Sequence, residues 1–294
     1  MKPGVPGDAA TEAIRIAQVH RVTSSAIRPD TDLLARECAV ALEFNGVSHA
    51  VMLATPLDLS DFALGFAVSE GIIDRAEQCY GIEMHEGDEG WTARIEISAA
   101  CFARLKQSRR NLTGRTGCGL CGVESLAHVF RTLPDLREAG ALLDPASINH
   151  ALSELASHQA IGAATGATHA AAWADPRGNI RIVREDVGRH NALDKLIGAG
   201  LRANSAGWRD GFLIITSRAS MEMVQKCAMA GFGTLIALSA PTDLAVRLAQ
   251  EHGICLVGFA TPGRWTVYSH PQRLAGLPTD HASVNATAQI SQRG

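Results

Sequence analysis

Apolar residues follow two different textures along this chain. In the first hundred residues they alternate. Cys38, Val40, Leu42 and Phe44 interleave with Glu37, Glu43 and small residues. Asn45-Gly46 then supplies a type I′ turn, and Val47, Val51 and Leu53 return. A period of two around that dipeptide predicts a β-hairpin with one buried face, with Cys38 as a structural member of it. Thr11 to Val22 and Trp91 to Ser98 read as further strands. Thr55-Pro56 ends the hairpin. Ser60 is placed to cap a helix running to Ile72, with Phe62 and Phe66 at i, i+4 on one face. Glu70 near its end suits either a solvated helix terminus or a functional carboxylate. This half predicts a small α+β layer. It leads into the basic stretch Arg104 to Arg115, read as a polar loop, and a short helix from Glu124 to Phe130.

The second texture consists of short continuous apolar runs. Residues 132–146, with Pro134, Gly140 and Pro145, read as a linker or surface loop, and Ser147 as the cap of a helix carrying Ile148, Leu152 and Leu155. Thr168 to Ala174 and Ile180 to Val183 are strands around the turn Asp175-Pro176-Arg177-Gly178. A helix follows from Gly188 to Ile197. Phe212 to Thr216, Thr234 to Leu238 and Ile254 to Phe259 then alternate with helices over Met221 to Ala230 and Thr242 to Glu251, the last stopped by Gly253. Apolar strands with helical crossovers predict a parallel sheet, hence an α/β second half. The expected division is an N-terminal α+β domain over 11–131 and a C-terminal α/β domain over 147–274, with 1–10 and 275–294 as disordered tails.

Composition narrows the function. A net charge of −3 offers no global field for nucleic acid or a membrane surface. No apolar run reaches the roughly 18 residues that span a bilayer, and the first residues lack a secretory pattern. The seven cysteines are odd in number and scattered, which fits reduced thiols in the cytoplasm.

The chemistry concentrates in Thr116-Gly117-Cys118-Gly119-Leu120-Cys121-Gly122. Glycines around a cysteine pair leave two sulfurs on an accessible loop. Such a pair suits half a zinc site, a redox couple or a sulfur-carrying thiolate. The same residues spell G-x-G-x-x-G, but the polar stretch before them is no strand, so the dinucleotide fingerprint fails. A deaminase-type zinc site fails too. It needs H-x-E ahead of the cysteines, and His169 is followed by Ala170-Ala171 downstream of them. No further zinc ligands are spaced beside the pair. Ligands in open α/β sheets bind beyond the carboxyl ends of the strands. Three polar segments fall there: 184–191 with Arg189 and His190, 216–220 with Ser217 and Arg218, and 259–264 with Arg264. Three arginines on one rim suit a phosphate-bearing molecule. Glu185 with Arg189 and His190 with Asp194 also stand at i, i+4, where surface pairs are common. His169 reads as either a core group or a site residue.

The chain resembles the formate dehydrogenase accessory sulfurtransferases, the FdhD/NarQ family. The likeness is carried by 117–122, by Gly65-Phe66 with Ser69-Glu70-Gly71, by Glu185 to Ala192, by Ser217 to Ser220, by Ala240-Pro241-Thr242 and by Gly258-Phe259. The resemblance implies a sulfur relay. Sulfur would arrive from a cysteine desulfurase as a persulfide on Cys118, with Cys121 assisting. It would pass to the molybdenum bis-molybdopterin guanine dinucleotide cofactor destined for formate dehydrogenase, a bound substrate beside which no metal of the protein's own is expected. The family's cofactor segment falls on Phe259, Ala260, Thr261, Pro262, Gly263 and Arg264, where Thr261-Pro262 replaces a customary Arg-Gly. That puts more weight on Arg189, Arg218 and Arg264. A cytidine-deaminase-like C-terminal fold and a homodimer are also implied. A cofactor chaperone and a thiol–disulfide oxidoreductase stay open as alternatives.

Overall fold

The computed structural model describes residues 12–113, 132–203 and 207–277, the side chains of 108–113 excepted. The fold is a mixed α/β one with three sheets. The first is a ribbon of β1 (Ile14–Val22) and β2 (Ile27–Ala35), antiparallel in unbroken register from Ile14↔Ala35 to Val22↔Ile27. Opposed residues share a face. Ile14, Ile16, Val22, Ile27 and Leu33 therefore lie on one side, and Arg15, Arg21, Arg28, Asp30 and Asp32 on the other. Arg21 bonds Asp30 at 2.6 Å on the charged side. On the apolar side Ile16, Val22 and Ile27 are 68–72% exposed. β2 was not anticipated, because Pro29 and its charges hide the alternation; edge strands tolerate both.

The second sheet has the order β4-β3-β6-β5, from β3 (Cys38–Phe44), β4 (Val47–Ala54), β5 (Cys79–Gly87) and β6 (Gly90–Ile97). The β3–β4 turn places Asn45 at φ 46° and Gly46 at φ 76°, the two left-handed residues that a type I′ turn requires. Against this sheet packs α1 (Leu59–Ser69), whose Phe62, Phe66 and Val68 join Val40, Leu42, Phe44 and Ile95 in one core. The α1 cap position is Asp58, at φ 54° and without a side-chain bond, so Ser60 lies inside the first turn. Arg104 to Thr113 of the basic stretch form not a loop but part of α2 (Ala99–Thr113), and Cys101 and Leu105 bury its apolar edge; Arg115 lies outside the described residues.

The third sheet has the order β12-β11-β10-β9-β7-β8. Its strands are β7 (His169–Ala174), β8 (Ile180–Asp186), β9 (Phe212–Ile215), β10 (Thr234–Ala237), β11 (Cys255–Thr261) and β12 (Arg264–Ser269). β9, β10 and β11 are parallel as expected; β7, β8 and β12 pair antiparallel with their neighbours. Consecutive residues serve opposite faces, which explains the unbroken apolar runs. Leu213 and Ile215 meet α5 (Arg189–Ala203), α6 (Met221–Met229) and α7 (Asp243–His252), while Phe212 and Ile214 meet α3 (Pro145–Glu154). The α3 cap is Asp144, which accepts from Ala146 N at 2.8 Å ahead of Pro145 at the first helical position, not Ser147. A short α4 (Ala160–Thr165) precedes β7.

Two expectations about loops change. Residues 132–146 form a packed strap rather than a surface linker. Leu133, Leu136 and Leu143 are buried, and the Arg273 guanidinium donates to the carbonyls of Leu136, Ala139 and Gly253. The chain also does not leave the sheet at Phe259, since β11 turns back into β12. The two halves meet where α1 crosses α5. A Cβ on Gly65 would stand 1.7 Å from the Asp194 carbonyl oxygen, and one on Gly198 would stand 1.9 Å from that of Asp61. Glycine at both positions lets the two backbones touch, and this brings the end of α1 beside α5 and the last turn of α6.

Candidate functional site

β7 is antiparallel to both β8 and β9, so β8 runs with β9, β10 and β11. The carboxyl ends of these four strands therefore share one edge with the amino end of β7. Backbone bonds stitch the loops there. Thr216 N donates to Ala170 O at 3.0 Å, Thr242 N to Ala219 O at 3.0 Å, and Phe259 N to Ser239 O at 3.1 Å. The edge carries His169, Arg189, His190, Ser217, Arg218 and Phe259.

At its β8 end, Arg189 Nε and His190 Nε2 are buried without a hydrogen-bond partner among the described residues. Both belong to the first turn of α5, where free N–H groups favour an anion. Burial, then the neighbouring Arg189 and Lys226 charges, holds His190 below the ordinary histidine value; burial and then Arg189 do the same to His169. The site thus pairs one fixed cation with two imidazoles that stay neutral near neutral pH.

Beneath this turn lies a buried ionic cluster. Lys226 Nζ stands 2.9 Å from both carboxylate oxygens of Asp194, 2.8 Å from Glu70 Oε1 and 2.9 Å from Ser69 Oγ, which itself donates to Asp194 Oδ1 at 2.6 Å. Burial pushes the Asp194 carboxyl up. The Asp194 and Glu70 charges nevertheless hold the Lys226 ammonium above its ordinary value against its own desolvation. Four oxygens around one nitrogen is the geometry of an ammonium held by carboxylates. Glu70 is therefore no solvated helix end, and Asp194 faces Lys226 rather than His190.

The segment 184–191 splits by direction. Glu185 accepts from Ile161 N at 2.9 Å, Gly162 N at 2.7 Å and the Thr168 hydroxyl at 3.0 Å, so it caps α4 and not Arg189. Asp186 pairs with Lys195 at 2.6 Å, both side chains fully buried. It also accepts from Thr55 N at 2.9 Å, Gly188 N at 2.8 Å and Asn191 Nδ2 at 3.2 Å. Lys195 donates to Thr55 O at 2.9 Å and Asn191 to Leu53 O at 2.7 Å. These groups pin the end of β4 to the β8–α5 turn, leaving Arg189 and His190 as the pair turned to the edge.

Comparison with known proteins bears on this arrangement. The FdhD/NarQ family matches residues 35–275. This chain belongs to that family. The FdhD/NarQ match takes in β3 through β12 and the cysteine pair, Cys118 and Cys121. Two relatives are each named sulfur carrier protein FdhD. One, from Bordetella petrii, is 50% identical over 271 residues, 92% of this chain and 95% of that protein. The other, from Variovorax paradoxus, is 53% identical over 249 residues, 85% and 89%. The fold also matches a crystal structure from Desulfotalea psychrophila assigned as a formate dehydrogenase accessory protein. Its TM-score is 0.70 at 22% identity, over 89% of this chain and 99% of that one.

In this FdhD/NarQ member the expected site residues are only partly gathered. Cys118 and Cys121 lie outside the described residues. Arg189 and His190 stand together at β8. Ser217, whose hydroxyl donates to Arg218 O at 3.1 Å, is buried, and Arg218 is exposed, both at β9. Phe259 is 52% exposed at φ 50° on a bulge of β11. The Ala260 methyl is buried in the core on the α3 face. Pro262-Gly263, with Gly263 at φ 79°, close the β11–β12 turn, and Asn149 Oδ1 of α3 accepts from Gly263 N and Trp265 Nε1 at 3.0 Å each. Arg264 is exposed beyond that turn. Five strand spacings separate β8 from β12, about 24 Å. Arg189 and Arg264 therefore belong to opposite ends of the edge and cannot clamp one phosphate. Lys226 went unremarked in the sequence, and Ser69 entered only through the family likeness; i, i+4 spacing marks pairs within a helix, not partners 157 residues apart.

Proposed function

We propose that this protein is a sulfur carrier in formate dehydrogenase maturation, with Cys118 as the carrier thiol and Cys121 assisting. A cysteine desulfurase persulfide would give up its outer sulfur to the Cys118 thiolate. The desulfurase leaves as a thiolate and Cys118 becomes the persulfide, with no net oxidation. The observation that carries the reading concerns the other five cysteines. Cys101, Cys227 and Cys255 are buried and Cys38 and Cys79 half-buried. Burial raises the thiols of Cys38, Cys79, Cys227 and Cys255, the last to about 12. A sulfur acceptor must be a reachable thiolate, which leaves the pair in 117–122 of a chain whose relatives are named sulfur carriers.

The acceptor in this reading is the molybdenum bis-molybdopterin guanine dinucleotide cofactor, held as substrate along the strand-end edge. Arg189, His190 and the α5 amino end would take one pyrophosphate, with Ser217 and Arg218 beside them. Phe259 supports a flat ring system at the far end. An aromatic side chain kept exposed in left-handed backbone costs on the order of 1 kcal/mol or more, and such strain collects at ligand sites. An edge about 24 Å long suits a ligand of dinucleotide length. Among the described residues no helix is long and apolar enough to cross a membrane. A cytoplasmic homodimer completes the reading; its thiols would stay reduced there, and the apolar face of the β1–β2 ribbon offers a surface for the second copy.

The test is intact-protein mass spectrometry after incubation with a cysteine desulfurase and cysteine. The expected product is a reducible one-sulfur adduct, present in wild type and absent in Cys118→Ala. No adduct on wild type beside an active desulfurase would reject the carrier and favour a cofactor chaperone. Cysteine-dependent disulfide turnover lost in Cys121→Ala would favour an oxidoreductase.

A further inference from the structure

We propose that Lys226 is a positioning residue of the strand-end site: clamped by Asp194, Ser69 and Glu70, it fixes the first turn of α5, with Arg189 and His190, against the ends of α1 and α6. The inference rests on the reading that this edge receives the pyrophosphates of the substrate. Its geometry is independent of that reading. Four oxygens from two helices other than its own surround one nitrogen. The Lys226 and Asp194 side chains are 7% and 2% exposed. The Phe66 ring lies 5.6 Å from the ammonium, adding an aromatic wall from α1. Asp194 stands one turn after His190 on α5, so the clamp grips the helix directly below the residue whose Nε2 has no partner among the described residues.

A cluster with only a packing role would be more cheaply built from apolar side chains, because desolvating an ion pair often cancels its attraction. What the charged version adds is a field. The charged groups that face His190 are Arg189 on its own helix, Lys226 and Glu222 from α6, and Glu70 from the end of α1. Lys226 and Arg189 oppose a proton on the imidazole; Glu222 and Glu70 favour one. His190 is thereby balanced between two cations and two anions. The clamp sets that balance by fixing both Lys226 and Glu70. A neutral imidazole can donate or accept a hydrogen bond, which lets one residue serve an anionic ligand before and after a proton moves.

Two variants separate the clamp from mere packing, because they should move His190 in opposite directions. Lys226→Met combined with Asp194→Asn removes the ammonium and its buried counter-charge together, and should raise the His190 titration midpoint. Glu70→Gln keeps the Lys226–Asp194 pair and should lower it. Each shift should be on the order of half a pH unit, roughly threefold in the ionisation constant. The titration is read by NMR of ring-labelled histidine, with His190→Gln assigning the resonance. Binding of inorganic pyrophosphate, measured by calorimetry, should weaken at least about threefold in the double variant. Both midpoints unmoved, or moved the same way, would overturn the proposal. If the double variant does not fold, Glu70→Gln alone decides, and a midpoint that does not fall overturns it. Wild type that ignores pyrophosphate would remove the substrate reading of the edge, while the His190 shifts would still judge the clamp.

Discussion

Lys195→Met and Asp186→Asn break the same contact yet should not cost the same. Both side chains are fully buried and 2.6 Å apart. Breaking a buried pair from one side costs roughly 3–5 kcal/mol, because a charge is left without its counter-charge. What each survivor keeps decides where in that range it falls. Without Lys195, Asp186 still accepts from Thr55 N, Gly188 N and Asn191 Nδ2. Three donors compensate much of the lost charge, so Lys195→Met belongs at about 3 kcal/mol. Without the Asp186 counter-charge, Lys195 keeps Thr55 O as its hydrogen-bond acceptor among the described residues. An ammonium with one carbonyl belongs near 5 kcal/mol. The double variant removes both charges and should cost no more than Asp186→Asn alone, well short of the sum. Urea unfolding with linear extrapolation measures all three. Equal single costs, or a double cost equal to the sum, would refute the reasoning that donor count sets the loss.

Other outcomes follow from the same geometry. Gly65→Ala places a methyl 1.7 Å from the Asp194 carbonyl. It should destabilise by at least the roughly 1–3 kcal/mol of an overpacked core, read as a fall in melting temperature; a neutral effect would mean that α1 and α5 do not touch as described. His169 and His190 are held below the ordinary value, so their shift is without effect above about pH 6.5. Below it the unfolded chain takes up protons that the folded chain refuses, and stability falls as pH falls toward the folded values. The slope is at most about 1.4 kcal/mol per pH unit for each histidine. Urea midpoints from pH 7 to 5 should flatten in His169→Gln, and a slope identical to wild type would remove His169 from this account. Iodoacetamide on the native protein should spare Cys101, Cys227 and Cys255; modification of Cys255 as fast as Cys118 would contradict their burial.

The readable parts of the sequence were those where local chemistry and tertiary packing agree. The hairpin at Asn45-Gly46 needed only period-two alternation and two left-handed residues. β9, β10 and β11 were visible because both faces of the sheet are covered, which forces apolar residues at every position. What escaped depends on distant partners. Asp58 takes the α1 cap position in left-handed backbone with no side-chain bond, so the Ser60 signal misled. In α2 the charges of Arg104 and Lys106 outweighed Cys101 and Leu105, although the i, i+4 spacing was there. The polar segment at β8 does lie at the strand-end edge, but nothing local distinguishes the inward Asp186 and Asn191 from Arg189 and His190. Lys226 sits in Met-Glu-Met-Val-Gln-Lys-Cys, which reads as an amphipathic helix with a solvated lysine; only the fold brings Asp194 and Ser69 to it.

The β1–β2 ribbon joins neither of the other sheets, and Ile16, Val22 and Ile27 meet solvent on its apolar side. A two-stranded ribbon is marginal by itself in water. Its root is held where Ala13 is buried and Arg36 N donates to Ala13 O at 2.8 Å, so opening should begin at the Val22–Ile27 end and stop there. Hydrogen exchange would then show two levels of protection in one chain. Amides of β1 and β2 would trade with solvent through local opening, at denaturant concentrations that leave β9, β10 and β11 untouched. Anything that covers the apolar side would raise protection in those eighteen residues first.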